Sequence, residues 1–460
     1  MATRILILGG GFAGVSTARA LVSQLRRRGR LREPAPEAAS DDASSGDVEV
    51  VLVNRENYFV FQPLLADVLP GTIQPTHSVV PLRRMLRGVD IEVAVVERID
   101  PARRVVELRR RQDGSRVQLE YDHLVLALGS VTDFRTVAGM AEHALGMRTL
   151  GDAIYLRNRA LAMLEEADLE ADPDRRRRLL TFVVVGGGST GVEVAAELRD
   201  QLKHAARAFR ETRLRPRVLI VHSRDRLLPS FEPKLGRHAT RKVREMGVQL
   251  VLGRRLTAVD ADGVELDDGT SIPAATVIST VGNAPHPILR GLTDATDDAG
   301  WPMTRETLEL PGLQNTWAVG DCASIPHPRT GEPAPATAQH AVRQGPHLAR
   351  NILRAIDGEA PEPYHYHSKG MLVSLGTLRG VGSVLGVRVT GAVAWFLWRG
   401  YYLSQLPTLE RRIRVGVDWL VDLFLPRDIV QIDVRRSVTR PDPAGVVEDR
   451  RLELPVEVSR

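Results

Sequence analysis

Apolar residues in this chain gather into short runs that end in glycine. Arg4-Ile5-Leu6-Ile7-Leu8 leads into Gly9-Gly10-Gly11-Phe12-Ala13-Gly14, and Thr181-Phe182-Val183-Val184-Val185 leads into Gly186-Gly187-Gly188-Ser189-Thr190-Gly191. An aliphatic run without polar alternation predicts a strand buried on both faces, as in a parallel sheet. Behind each glycine cluster the apolar spacing becomes helical, over 12–28 in the first case. Glu49 to Val53 and Arg217 to Val221 then return as strands, so each unit reads β-α-β. Residues 91–124 predict short strands and hairpins with a turn at Asp113-Gly114, and Asp262-Gly263 and Asp268-Gly269 mark a second hairpin. Leu124 to Gly129 and Thr276 to Gly282 are further strands ending in glycine. Helices are expected over 152–168 and from Ala336 to Leu353, the latter broken at Pro346.

The spacing of the glycines carries a physical meaning. The first permits a tight turn, the second lets backbone approach a pyrophosphate, and the third lets helix and strand pack closely. The phosphates then sit at a helix N-terminus, where free amides and the helix dipole favour negative charge. One such cluster occurs in many loops without a ligand. Two, each between a strand and a helix, predict two bound dinucleotides and electron transfer between them. The fold class expected is α/β, with two Rossmann-like dinucleotide-binding domains and a C-terminal amphipathic, membrane-associating region.

Domain limits follow from these changes of pattern. Residues 1–150 form the first part of one domain, 151–284 the second domain, and 285–355 the return to the first. Residues 356–435 are aromatic, basic and amphipathic, and 436–460 a polar tail. Asn54 follows Gly14 by 40 positions, against the usual ~20 from such glycines to the next strand end. The Pro-, Ala- and Ser-rich stretch 30–47 accounts for the excess as a flexible surface insertion.

Composition narrows the chemistry. The single cysteine, Cys322, excludes an intrachain disulfide or a CxxC redox pair. No apolar signal-peptide core precedes the first strand, and no apolar run reaches the roughly 18 residues of a spanning helix. The net charge of +5 suits anionic lipid or phosphate-bearing cofactors, and equally an arginine-rich compositional habit of the source genome. No nucleic-acid module is present in the pattern.

The chain resembles the two-dinucleotide-binding flavoprotein oxidoreductases, specifically the type II NADH dehydrogenases, over roughly residues 3 to 432. The paired fingerprints carry the resemblance, with Asn57-Tyr58-Phe59-Val60-Phe61-Gln62-Pro63-Leu64-Leu65, Ala127-Leu128-Gly129-Ser130, Val319-Gly320-Asp321-Cys322-Ala323 and Ala338-Gln339-His340-Ala341. It implies that FAD lies against Gly9, Gly11, Phe12, Ala13, Gly14, Asn54, Arg55, Gln62, Ala127, Gly129, Gly320, Asp321, Gln339, His340 and Ala341. NADH or NADPH would lie against Gly186, Gly188, Thr190, Gly191, Glu193, His222, Arg224 and Gly282. Glu193, Gln339 and Gln344 are the candidate catalytic residues, and a quinone is the implied acceptor, reduced without proton pumping. Taken by itself, Glu193 is equally an acid stabilised by the start of a helix.

Three positions depart from the family pattern. Asn54 stands where an acid often holds the FAD ribose, and His222-Ser223-Arg224 replaces the equivalent acid of the second unit. An acid there would repel a 2′-phosphate, whereas Arg224 accommodates one. Arg343 occupies the last position of the family's Ala-Gln-x-Ala-x-Gln.

In the C-terminal stretch, Trp395-Phe396-Leu397-Trp398 and Tyr401-Tyr402-Leu403 lie beside Arg388 and Arg399, and Ile413, Val417, Leu420 and Phe424 recur at helical spacing. Such a stripe either faces a core or lies in a bilayer interface. The interfacial reading is taken, with an anionic membrane surface, a membrane quinone pool and a homodimer as expected partners, at the cytoplasmic face of the cell membrane as a peripheral, monotopic protein. His365-Tyr366-His367 would put two imidazoles on one strand face, but no further ligand is evident and no metal is expected. Two other functions fit the same fold: a soluble reductase of a ferredoxin-like carrier, and a low-turnover NAD(P)H redox sensor.

Overall fold

The computed structural model describes residues 2–34, 47–209, 214–327, 331, 333–366, 370–431, 440–441 and 447–448. Most of the 30–47 insertion and of the 436–460 tail lies outside these residues.

The first glycine unit forms a seven-stranded sheet, in the order Thr316–Ala318, His123–Leu126, Thr3–Leu8, Val48–Asn54, Asp90–Asp100, Val105–Arg110, Arg116–Glu120. Its first five strands pair in parallel, and the last two add an antiparallel meander. Ile5, Leu6, Ile7 and Leu8 are fully buried, as expected of a strand covered on both faces. The Phe12–Arg27 helix covers one face together with Ala338–Ile356. Their crossing is close enough that a Cβ on Gly345 would lie 2.6 Å from the Ser16 Cβ. Ala338–Ile356 runs unbroken through Pro346, contrary to the break predicted there. Proline's fixed φ suits a helix, and packing along Phe12–Arg27 holds both halves in line despite the missing N–H.

The second unit repeats the plan. Ala144–Leu145, Thr276–Ser279, Thr181–Val185, Arg217–His222 and Gln249–Leu252 form a parallel sheet, followed by an antiparallel meander over Leu256–Val259, Gly263–Leu266 and Ser271–Pro273. Ser130–Thr132 pairs with Asn283–Pro285 as an antiparallel crossover between the units. Because Ala144–Leu145 already belongs to the second sheet, the chain crosses over before the boundary at 150 read from sequence. The Leu150–Leu169 helix opens on a capping box between Thr149 and Asp152.

After the second crossing the chain returns to the first sheet, then forms a hairpin sheet over Gly370–Ser374, Gly380–Val384 and Val387–Thr390. Helices Gly391–Gln405 and Leu409–Phe424 follow. Their inner faces bury Trp398, Val415 and Trp419 in the core of the first unit.

Candidate active site

The two glycine loops are built alike. A Cβ on Gly14 would lie 1.9 Å from the Gly9 oxygen, and one on Gly191 would lie 2.0 Å from the Gly186 oxygen, so only glycine permits these turns. Gly11 and Gly188 face open space instead, with nothing within 4 Å of an added Cβ, and neither caps its helix with a side chain. The first-turn amides of both helices are therefore presented to an anion. The middle glycine of each loop donates its N–H to the residue at the end of the next strand. Gly10 N donates to Asn54 Oδ1 at 2.8 Å, and Gly187 N to His222 Nδ1 at 3.2 Å. Asn54 Nδ2 also donates to the Glu56 carbonyl at 2.7 Å, so both ends of this amide are engaged by the chain.

The remaining first-unit residues ring the same strand ends. Ala127 and Ala13 are buried beside Gly9 and Gly320, and Gly129 turns with φ near +69°. Asp321 lies next to Arg148; burial raises its pKa and the guanidinium opposes the rise. Arg55 is exposed and pairs with Glu56. Gln62 is exposed and reaches the Arg148 carbonyl at 3.5 Å. The open Gly11 loop, the uncapped helix start and Asp321 together fit a flavin dinucleotide laid across these strand ends.

In the second unit Thr190 and Arg224 are exposed beside Gly188 and the end of strand Arg217–His222. Gly282 sits in the crossover, where a Cβ would meet the Asp133 oxygen at 2.7 Å.

A cavity of about 280 Å³ joins the units. Phe12 and Arg19 reach it from the first glycine helix, Ser189 and Glu193 from the second, Gln339 and Arg343 from Ala338–Ile356, and Tyr402 from the C-terminal helices. Aromatic edges define its apolar wall: Phe12 lies 5.0 Å from Phe59 and 5.5 Å from Phe61, and Phe61 lies 6.1 Å from Tyr402. Glu193 Oε1 accepts from the Ser374 amide at 3.1 Å. Burial pushes its pKa up to about 8 against that hydrogen bond, so the side chain is a neutral acid at pH 7. Gln339 is held at both ends, donating to the Gly370 carbonyl at 2.9 Å and accepting from the Tyr366 hydroxyl at 3.1 Å. Arg343 lies over the Tyr366 ring at 5.0 Å.

Gln344 is placed differently from Gln339. It is buried away from the cavity wall, and its Oε1 accepts from the Gly320 amide at 2.9 Å. It thus sets the Gly320-Asp321 turn. Ala341 packs beneath the same turn, and His340 is buried with its ring edge-on to Tyr366 and Nδ1 unpartnered among the described residues.

Behind Glu193 lies a charged cluster that the sequence reading missed. Trp419 Nε1 donates to Asp67 Oδ2, and Arg427 contacts Asp422 at 2.8 Å and Glu197 at 3.7 Å. The Arg399 guanidinium sits 3.9 Å from the Trp395 ring centre and 4.7 Å from that of Trp419. Burial raises Asp67 to about 6 and Glu197 well above the usual carboxylate range. Arg427 thus faces carboxyls from two elements, Glu197 on the second glycine helix and Asp422 on the last one. Two signals were available: Asp67 interrupts the apolar run Leu64–Leu69, and Glu193 and Glu197 share a helix face at a spacing of four.

Cys322 is buried and donates to the Leu126 carbonyl at 3.0 Å. No group of three metal-ligating side chains occurs among the described residues, and His367 lies outside them.

The C-terminal stripe faces outward. Ile413, Val417, Leu420 and Phe424 are 53–79% exposed, and Val393, Phe396 and Leu397 continue the apolar surface on the preceding helix. A core-facing helix would bury this stripe; here the buried residues are Val415 and Trp419 on the other side. Among the described residues no helix is long and apolar enough to cross a membrane.

Residues 3–345 match the family described as pyridine nucleotide-disulphide oxidoreductase. The chain is similar to the type II NADH:quinone oxidoreductase of Mycobacterium tuberculosis, at 30% identity over 92% of this chain and 89% of the relative. It is 32% identical to the demethylphylloquinone reductase of Synechocystis over 91% and 95% of the two chains. Its fold matches the solved structure of NDH2 from Plasmodium falciparum in complex with NADH, with a TM-score of 0.82 at 17% identity, covering 94% of this chain and 100% of that one.

Proposed function

Since this chain belongs to the pyridine nucleotide-disulphide oxidoreductase family, among its type II NADH:quinone oxidoreductases, we propose a role for each part of the site in that reaction. The enzyme oxidises NAD(P)H and reduces a quinone through FAD, without pumping protons. The bound flavin supplies the hydride acceptor and two-electron donor that no side chain offers.

The chain's own residues bind, orient and supply protons. The amides behind Gly11 hold the flavin pyrophosphate, and Asp321, set by Gln344, takes the ribityl chain. The amides behind Gly188 hold the nicotinamide dinucleotide. Glu193 keeps a proton at the cavity for the reduced quinone, and the aromatic wall of Phe12, Phe59 and Phe61 excludes water. Gln339, clamped by Gly370 and Tyr366, is the oriented amide facing the acceptor. One observation carries this reading: the starts of three helices from separate parts of the chain converge with Tyr402 on one cavity.

The exposed face of the two C-terminal helices is the membrane contact, lying in the interface with its basic flanks towards anionic lipid. We place it on the cytoplasmic face of the cell membrane, and assign the homodimer contact to this same region. This surface lies beside Tyr402 and Gln405 of the cavity, so a lipid-dissolved quinone enters without crossing water.

The test is steady-state oxidation of NADH and NADPH by FAD-loaded protein, with and without a menaquinone analogue in anionic vesicles. Strong stimulation by quinone in vesicles is expected. Flavin reduction without quinone turnover would overturn the acceptor assignment in favour of a soluble carrier.

A further inference from the structure

We infer that the second glycine unit selects NADPH, with Arg224 as the residue that binds its 2′-phosphate. The inference rests on the proposed placement of the nicotinamide dinucleotide behind Gly188.

In a dinucleotide-binding β-α-β unit, an acid at the end of the second strand hydrogen-bonds the ribose 2′-hydroxyl and repels a phosphate at that carbon. The middle glycine identifies that strand end in both units of this molecule, donating to Asn54 in the first and to His222 in the second. The position therefore carries an imidazole. Its Nδ1 accepts from Gly187, which leaves the ring's proton on Nε2, and burial with Arg224 nearby lowers its pKa. The strand-end position itself thus carries no negative charge to oppose a phosphate where the family pattern has one, leaving Asp225 as the acid nearby.

Arg224 supplies the attraction. Two residues beyond His222, it is exposed and makes no side-chain hydrogen bond or ion pair among the described residues. Its backbone is nonetheless fixed, since Gly253 N donates to the Arg224 carbonyl at 2.9 Å and Arg254 N to the His222 carbonyl at 3.2 Å. Arg254 itself is paired with Asp268 at 2.9 Å. Arg224 thus combines a fixed backbone with a guanidinium that has no partner among the described residues, and its planar fork matches the oxygens of a phosphate placed on the adenosine ribose. The acid of this loop, Asp225, follows Arg224 after the chain has left the strand end, and is the competitor for the ribose.

The experiment compares calorimetric binding of 2′,5′-ADP and 5′-AMP to the FAD-loaded protein, alongside kcat/KM for NADPH and NADH. The 2′-phosphate is expected to tighten binding about tenfold or more, as a charge-assisted contact would. That gain should disappear in Arg224→Ala and shrink as salt is raised. His222→Glu should move the NADPH:NADH ratio towards NADH by a similar factor. Equal binding of the two nucleotides, or an unchanged ratio in Arg224→Ala, would overturn the inference. So would NADH turnover that fails in Asp225→Asn, which would give the ribose to Asp225. Flavin reduction by NADH but not NADPH defeats only this inference, whereas reduction by neither defeats the function proposed above.

Discussion

The Trp419 indole N–H donates to Asp67 Oδ2 at 3.0 Å across 352 positions of sequence. The bond fastens the last helix to the turn after Phe61-Gln62-Pro63, beside the carboxyls that back the cavity. Trp419→Phe keeps the ring but leaves the buried Asp67 oxygen without its donor. It should cost on the order of 1–3 kcal/mol, seen as a lower midpoint in denaturant. An unchanged midpoint would mean that Arg399 alone satisfies Asp67.

The role proposed for Glu193 puts the pH dependence of the acceptor half-reaction on this carboxyl. With its pKa near 8 it is protonated below that value and loses its proton as pH rises through it. Stopped-flow reoxidation of reduced enzyme by quinone should therefore be flat below pH 7 and fall above 8. Glu193→Gln should slow the step by ~10²-fold, the lower range of general acid catalysis, and abolish that inflection. A retained inflection would assign it to another group.

Gly14→Ala should abolish FAD retention, because its Cβ would lie 1.9 Å from the Gly9 oxygen and force the loop open. Purified variant protein should lack the flavin absorbance of the parent. Gly29→Ala supplies a comparison: Gly29 is left-handed and far from the loop, so its substitution strains the backbone without costing flavin.

Phe396→Asp with Ile413→Asp puts charges on two exposed apolar positions of the C-terminal face. Sedimentation with anionic vesicles should fall by more than tenfold, since each replaces about 1.5–3 kcal/mol of apolar burial. Undiminished vesicle binding would remove this face from the membrane contact.

His123 lies buried in the first sheet with its pKa depressed to about 4 by burial. The unfolded chain takes up this proton near pH 6.5 while the folded chain does not, so stability falls as pH drops from 6.5 towards 4. The loss amounts to about 3 kcal/mol. His123→Phe should flatten the urea midpoint over that range; an equally steep decline in the variant would place the acid sensitivity elsewhere.

Much of this architecture was legible in the chain itself. Buried parallel strands announce themselves as unbroken aliphatic runs, and Gly14 and Gly191 stand where no side chain fits, so both β-α-β units could be placed from local pattern. The resemblance carried the cofactors as far as the strand ends. The same pattern left the C-terminal stripe open, because Ile413, Val417, Leu420 and Phe424 repeat identically whether they meet a core or a lipid. Packing of Trp419 and Val415 on the opposite side turns that stripe outward.

Partners at long separation were beyond the reach of spacing. Two neighbouring glutamines on one helix look alike in sequence, yet Gln339 faces the cavity while Gln344 is bonded to Gly320. Asp67, Glu197, Arg399 and Arg427 become one cluster only when the last helices close over the second glycine helix. Periodicity reports which side of an element is buried, because that follows from the backbone's own repeat. It does not report what that side meets, because the meeting depends on how distant elements cross, and there the proton affinity of Glu193 is set.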